Sequence, residues 1–302
     1  MKNSPEQFRD SLRESLLELL WRQWRTLGVA SHGEDATLPI DLEALILAAA
    51  ATAGQDGRLW DATLRWLAHF REWVNGARLK RMAGPFTSPD VLLKRPLIRA
   101  DAWRQACAVL DPDSPTRMKR ARDAKTGRGL TPPRLRKPPL LQLFLRGIFG
   151  VNARAELMLF LLAEGEGNSN QIARETHYDQ KNVYLILERW AGTGFIEREK
   201  RGRQNLYSLK PGSKAFLPAE MEGKFWNWEP FFRSFGRLCV AAHSKPWRTD
   251  AYLLSSLFRS IHCDVSPLAK AAGIVLPDLQ LLPGEELFAA MAEVLARMPD
   301  SF

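Results

Sequence analysis

Cysteine is scarce in this chain of 302 residues: Cys107, Cys239 and Cys263 lie far apart and form no CxxC pair. That argues against a disulfide framework or a zinc ribbon and suits a reducing compartment. Histidine is rare too, with five in all, and His243, His262 and Cys263 lack metal-ligand spacing, so no metal or cofactor is expected. Long apolar runs are missing. The longest, Ala44–Ala53, falls well short of the ~20 residues that a membrane span needs. Near the start, Leu16–Leu20 is interrupted by Glu18 and flanked by charge, so no secretory leader is expected and the protein should stay inside the cell. The chain has no G-x-S-x-G, no G-x-x-x-x-G-K-[ST] and no dinucleotide fingerprint, and nothing in it argues for an enzyme.

What is present is a composition able to fill cores, 45% hydrophobic and 10% aromatic, with Lys+Arg exceeding Asp+Glu by 43 to 34. A formal charge of +9 favours polyanionic partners, though where the charge lies matters more than its total. Residues 1–110 read as a helical domain for dimerisation or sensing. Ser4-Pro5-Glu6 is a helix start, Leu12, Leu16, Leu19, Leu20 and Trp24 follow a helical period, and Ile40–Ala53, Leu59–Val74 and Arg99–Leu110 are further helices. Six tryptophans between Trp21 and Trp103 are expected in its core.

Residues 111–139 change character. Six prolines and almost no large apolar residue predict a linker. Between Arg117 and Lys137 the basic residues Arg117, Lys119, Arg120, Arg122, Lys125, Arg128, Arg134, Arg136 and Lys137 stand against the one acid Asp123, so this shorter stretch holds +8. Two readings stay open: a solvated tether, or an arm that neutralises phosphates without choosing sequence. An apolar helix over 140–151 follows. Residues 213–302 are expected to form a helical C-terminal domain, opening on Phe225, Trp226, Trp228, Phe231, Phe232 and Phe235 and ending in a helix over Glu285–Met298.

The segment 152–209 is the informative one. Asn152 is placed to cap a helix over Ala153–Glu164, Ser169 a short second helix and Asp179 a third, in which Val183, Leu187 and Trp190 share one face. The period then changes: residues 195–200 and 205–209 read as two strands joined by Arg201-Gly202-Arg203-Gln204. This ordered set, about a fifth of the chain, resembles the winged helix-turn-helix of ArsR/MarR-type regulators. The features carrying it are Ser169…Ile172-Ala173, Val183…Leu187…Trp190, Gly194-Phe195-Ile196 and Gly202…Tyr207-Ser208-Leu209. The expected fold is therefore mainly α: a helical N-terminal domain, a central winged helix over 140–212 with a two-stranded wing, and a helical C-terminal region.

The resemblance implies double-stranded DNA as the partner. A third helix of this kind lies in the major groove, where Gln180 suits adenine and Lys181 suits guanine or a phosphate; Asn182 and Tyr184 share the exposed face. Ser169 and Asn170 would meet a phosphate. Arg198, Lys200, Arg201, Arg203 and Gln204 would form a wing that reaches the flanking backbone or minor groove. Leu185 stands where a polar residue could, either buried against another part of the chain or touching a thymine methyl. The expected function is a sequence-specific transcription regulator of the cytoplasm and nucleoid, a homodimeric repressor with a small-molecule or protein effector. Two alternatives stand beside it: an adaptor, or an antitoxin or phage-defence accessory subunit, that docks a protein through the winged helix or the aromatic segment; and sequence-neutral nucleic-acid binding through the linker.

Overall fold

Reciprocal capping starts α1 (Pro5–Thr26). The Gln7 N–H donates to the Ser4 hydroxyl and the Ser4 N–H donates to the Gln7 side chain, with proline at the first helical position. The computed structural model describes residues 4–116, 119, 129–210, 212–218, 221, 227–280 and 284–302. Of the basic run, Arg117, Arg120, Arg122, Lys125 and Arg128 lie outside the described residues, as do Phe225 and Trp226 of the aromatic group. The helices that follow are α2 (Leu42–Ala51), α3 (Gly57–Phe70), α4 (Gly76–Thr87), α5 (Ala100–Leu110), α6 (Leu141–Phe149), α7 (Ala153–Glu164), α8 (Ser169–Thr176), α9 (Gln180–Gly192), α10 (Trp228–Ala242), α11 (Ala251–Ala271) and α12 (Gly284–Arg297). Strands β1 (Glu166–Asn168), β2 (Ile196–Arg201) and β3 (Gln204–Leu209) form one antiparallel sheet in the order β1-β3-β2. The chain is mainly helical, as its sequence predicts. Among the described residues no helix is long and apolar enough to cross a membrane.

The division into separate N-terminal and C-terminal helical domains needs correction. Leu12 and Leu16 of α1, Trp66 of α3, Phe231 and Phe235 of α10, Phe258 of α11 and Phe288 of α12 belong to one buried core. Helix α2, buried along Leu42–Ala50, touches α1, α3, α4, α5 and α10. A helix apolar on nearly every side has to be surrounded, and α10 from the C-terminal flank joins α1, α3, α4 and α5 in doing so. Helix α4 escaped the sequence reading because Gly76, Gly84 and Pro85 obscure its period; the Asn75 side chain caps it by accepting from the Arg78 N–H at 3.0 Å.

The proline-rich segment is also less free than a linker. The Thr131 N–H donates to the Gly28 carbonyl at 2.9 Å, the Ala30 N–H to Gly129 at 2.8 Å and the Ile40 N–H to Pro139 at 2.8 Å. Lys137 pairs with Asp35 at 2.5 Å. Its described second half, 129–139, thus lies along the connection between α1 and α2. Gly28 has φ 100°, and a Cβ there would come within 2.0 Å of the Thr131 carbonyl oxygen. Gly28→Ala is therefore expected to cost at least about 2 kcal/mol, through backbone strain and loss of that contact. A urea titration measures the loss, and limited proteolysis should find 129–137 newly cleavable.

The helices and strands from α7 to β3 are built on a second core: Leu157, Phe160 and Leu161 of α7, Ile172 of α8, Val183, Ile186 and Leu187 of α9, Ile196 of β2 and Tyr207 of β3. Its other side is closed by Leu141 and Leu145 of α6 with Met158, Leu159 and Met221. Trp190 is only half buried and bridges these two clusters. The turn of the wing is a two-residue loop, Gly202-Arg203, with Gly202 at φ 61°, the conformation a tight hairpin asks of its first loop residue. Strand β1 was not foreseen. It turns the two-stranded wing into a three-stranded sheet by pairing Gly167 with Tyr207.

Candidate nucleic-acid interface

The Asp179 side chain caps α9 by accepting from the Asn182 N–H at 3.1 Å, and that helix then presents Gln180, Lys181, Asn182 and Tyr184 to solvent. Helix α8 is capped by Asn168, which accepts from the Gln171 N–H at 2.9 Å; Ser169, expected as its cap, is the first helical residue instead. Ser169 is put to another use. Its hydroxyl accepts from the Gln180 amide at 3.0 Å, and the Asn168 amide donates to Gln204 at 3.0 Å. The starts of α8 and α9 and the wing strand β3 therefore share one polar ridge, with Asn170 exposed beside it.

The expected wing cations divide into two groups. Arg198 donates to Glu188 at 2.7 Å, and Arg201 is held between Glu199 at 2.8 Å and Glu166 at 2.9 Å. Glu199 lies below the ordinary carboxylate range because Arg201 hydrogen-bonds it. Lys181, Lys200 and Arg203 are exposed, and no hydrogen bond or ion pair of their side chains joins them to the described residues. Glu188, a residue the sequence reading passed over, accepts from the Tyr207 hydroxyl at 2.7 Å as well as from Arg198, and so ties α9 to both long strands of the wing. The cations expected in the proline-rich run fare differently: Lys137 is paired with Asp35, whereas Lys119, Arg134 and Arg136 have no ion pair among the described residues.

Behind this surface lies a buried ionic network. Arg78 of α4 grips the Asp41 carboxylate with both terminal nitrogens at 2.7 and 2.6 Å, reaches Glu43 at 2.6 Å and donates through Nε to the Thr176 carbonyl at 3.0 Å. Arg146 of α6 grips Glu43 at 2.9 and 2.6 Å, reaches Glu156 of α7 at 2.9 and 2.5 Å and donates to the Trp73 carbonyl at 2.7 Å. Gln142 closes the ring, donating to Glu156 at 3.1 Å and accepting from the Leu42 N–H at 2.9 Å. All five charged side chains are at most 7% exposed. Burial alone would raise the Asp41 carboxyl, but the Arg78 charge, its hydrogen bonds and the Ala44 N–H bring it down to about 2. Because Thr176 ends α8, the network fixes the helix-turn-helix onto the helical body. Asn75 donates to the Tyr178 hydroxyl at 2.6 Å, and Arg81 donates to the His177 carbonyl at 2.7 Å while stacking on the Tyr178 ring at 4.8 Å.

His177 takes the left-handed conformation at φ 59° in the turn before α9. Burial, reinforced by the Arg78 charge and only partly offset by Asp41 and Glu175, lowers its imidazole to about 4. An unfolded histidine titrates near 6.5, so between those values the unfolded chain holds a proton that the native chain refuses. Stability should fall as pH drops from about 6.5 to 4, whereas the loss due to Asp41 comes lower, from about 4 towards 2. His177→Asn, which tolerates the same backbone conformation, should flatten the upper part of a plot of melting temperature against pH and leave the lower part in place.

A cleft of about 340 Å³ opens where α7 and α8 meet α11, lined by Phe160, Glu164, Gln171, Glu175, Pro267 and Leu268 among others. Glu164 is raised by burial and by the neighbouring Glu175. No protein-family model, curated protein or solved structure matches this chain.

Proposed function

We propose that this protein binds double-stranded DNA through its winged helix and regulates transcription, most simply as a homodimeric repressor in the cytoplasm. The observation that carries the reading is the outer face of α9: Gln180, Lys181, Asn182 and Tyr184 stand exposed, next to a hairpin whose Lys200 and Arg203 have no ion-pair partner among the described residues. An α-helix matches the width of the major groove, amides and amines match base edges there, and unpaired cations beside them match phosphates. Two-fold symmetry would set two such helices about one turn of DNA apart and ask for an inverted repeat. The expected effector would find an opening in the cleft between α7, α8 and α11, next to the reading head.

Selection of bound duplexes from a random pool by the full-length chain tests the reading. Enrichment of an inverted repeat is expected. Failure to enrich any duplex at moderate salt would remove it. Glu188, Glu197 and Glu199, which line one groove beside the wing, give a second reading some support, a module that docks a protein. In that case a stoichiometric protein partner would bind while DNA affinity stayed absent.

A further inference from the structure

Helix α9 buries Val183, Ile186 and Leu187, so the direction opposite them is the line Lys181, Leu185, Arg189, at successive i, i+4 positions. Leu185 is 45% exposed in the middle of that line and Tyr184 beside it is 40% exposed. The sequence left two places for Leu185, and the structure removes one of them: no described part of the chain covers it. Two large apolar side chains thus stand at the centre of a surface whose edges are polar. Lys181 and Arg189 flank Leu185 along the helix, and neither is joined by its side chain to a described carboxylate. The carboxylate of Glu188 is already occupied by Arg198 and Tyr207. An apolar centre framed by available cations suits a polyanion that carries methyl groups between its phosphates. In the major groove only thymine presents a methyl group, at C5.

We infer that α9 reads a thymine methyl through Leu185, with Tyr184 widening the apolar contact, and that an adenine read by Gln180 lies close by. The Gln180 amide spends one N–H on Ser169, which leaves one N–H and the carbonyl oxygen, the pair that adenine N7 and N6 require. Five residues along a helix span about 7.5 Å and turn it by about 140°, so Gln180 and Leu185 meet different bases. The half-site is therefore built around A·T pairs. This inference rests on the DNA reading above and adds base identity to it.

The test uses the full-length chain and a duplex of ~30 base pairs taken from the random-pool selection, with each enriched thymine replaced in turn by deoxyuridine, which lacks only the methyl. Burying one methyl is worth about fourfold in affinity. One such replacement should weaken wild-type binding by about that factor. Leu185→Ala should bind the thymine and uracil duplexes equally, whereas Lys181→Ala should keep the fourfold ratio while binding both more weakly. Leu185 is exposed, so the alanine variant should keep the wild-type melting temperature. If duplexes are enriched but uracil has no effect, or if Leu185→Ala retains the ratio, DNA binding stands and the thymine assignment falls. If no duplex is enriched, the result expected when a protein covers this face, both fall together.

Discussion

Replacing Arg146 by methionine is expected to destabilise the chain by about 3–5 kcal/mol, the range for breaking a buried ion pair by removal of one partner. Against a total stability of about 5–15 kcal/mol this is among the largest losses any single residue here should cause. Arg146 is fully buried and holds Glu43 and Glu156, both also buried. Methionine fills much of the same volume but leaves Glu156 with only the Gln142 amide for company. The penalty comes from the stranded carboxylate more than from the lost bonds. The double variant R146M/E156L separates these terms. It removes one charge of each sign, and Glu43 keeps Arg78 at 2.6 Å and the Asn75 N–H at 2.8 Å. Most of the lost stability should return, since well-packed apolar replacements of buried ion pairs are commonly neutral. Urea titrations of the three proteins give the coupling. A single variant within about 0.5 kcal/mol of wild type would show that the network does not hold the head to the body.

DNA affinity should depend on which cations are already paired. Substituting Lys181, Lys200 and Arg203 together by glutamine removes three charges that are not held by described carboxylates. Each phosphate contact contributes about 0.9 to the slope of log affinity against log salt, so the slope should fall by about 3 and affinity at ~0.1 M salt by roughly 10²–10³-fold. Arg201→Gln should leave the slope unchanged, whereas a phosphate contact there would lower it by about 0.9, because its guanidinium is spent on Glu199 and Glu166. The sequence treats Arg201 and Arg203 as equivalent wing arginines, and only their neighbours distinguish them. Fluorescence anisotropy of a labelled duplex between about 50 and 300 mM salt, the range over which such contacts are resolved, measures both variants. Equal slopes for the triple variant and wild type would rule out these three residues as the phosphate contacts.

Local chemistry in the chain was enough to place most of the elements. Ser4, Asn152 and Asp179 cap the helices they announce, since a capping side chain acts within three residues of itself. Gly202 marks the hairpin because the backbone of a tight loop selects it. The mainly helical architecture with a central wing follows from such signals together with apolar spacing. What went unread depends on partners distant in the chain. Strand β1 is three residues long, too short for any alternation to show, and is a strand only because β3 lies beside it. The ionic network did leave a trace: Glu43 and Arg146 are each the one charge in their helices, and such a residue is seldom buried without a partner.

By itself, then, the sequence determined most of the helices, the hairpin and the outward face of α9, all of which rest on short-range periodicity and capping. Tertiary structure alone decided that the two helical flanks share one core, that Arg78 and Arg146 join the helical body to α7 and α8, and that Arg201 is neutralised while Arg203 is not. The physical reason is common to all three. Burial and charge pairing are properties of what surrounds a side chain, and those surroundings are brought together from residues dozens to hundreds of positions apart.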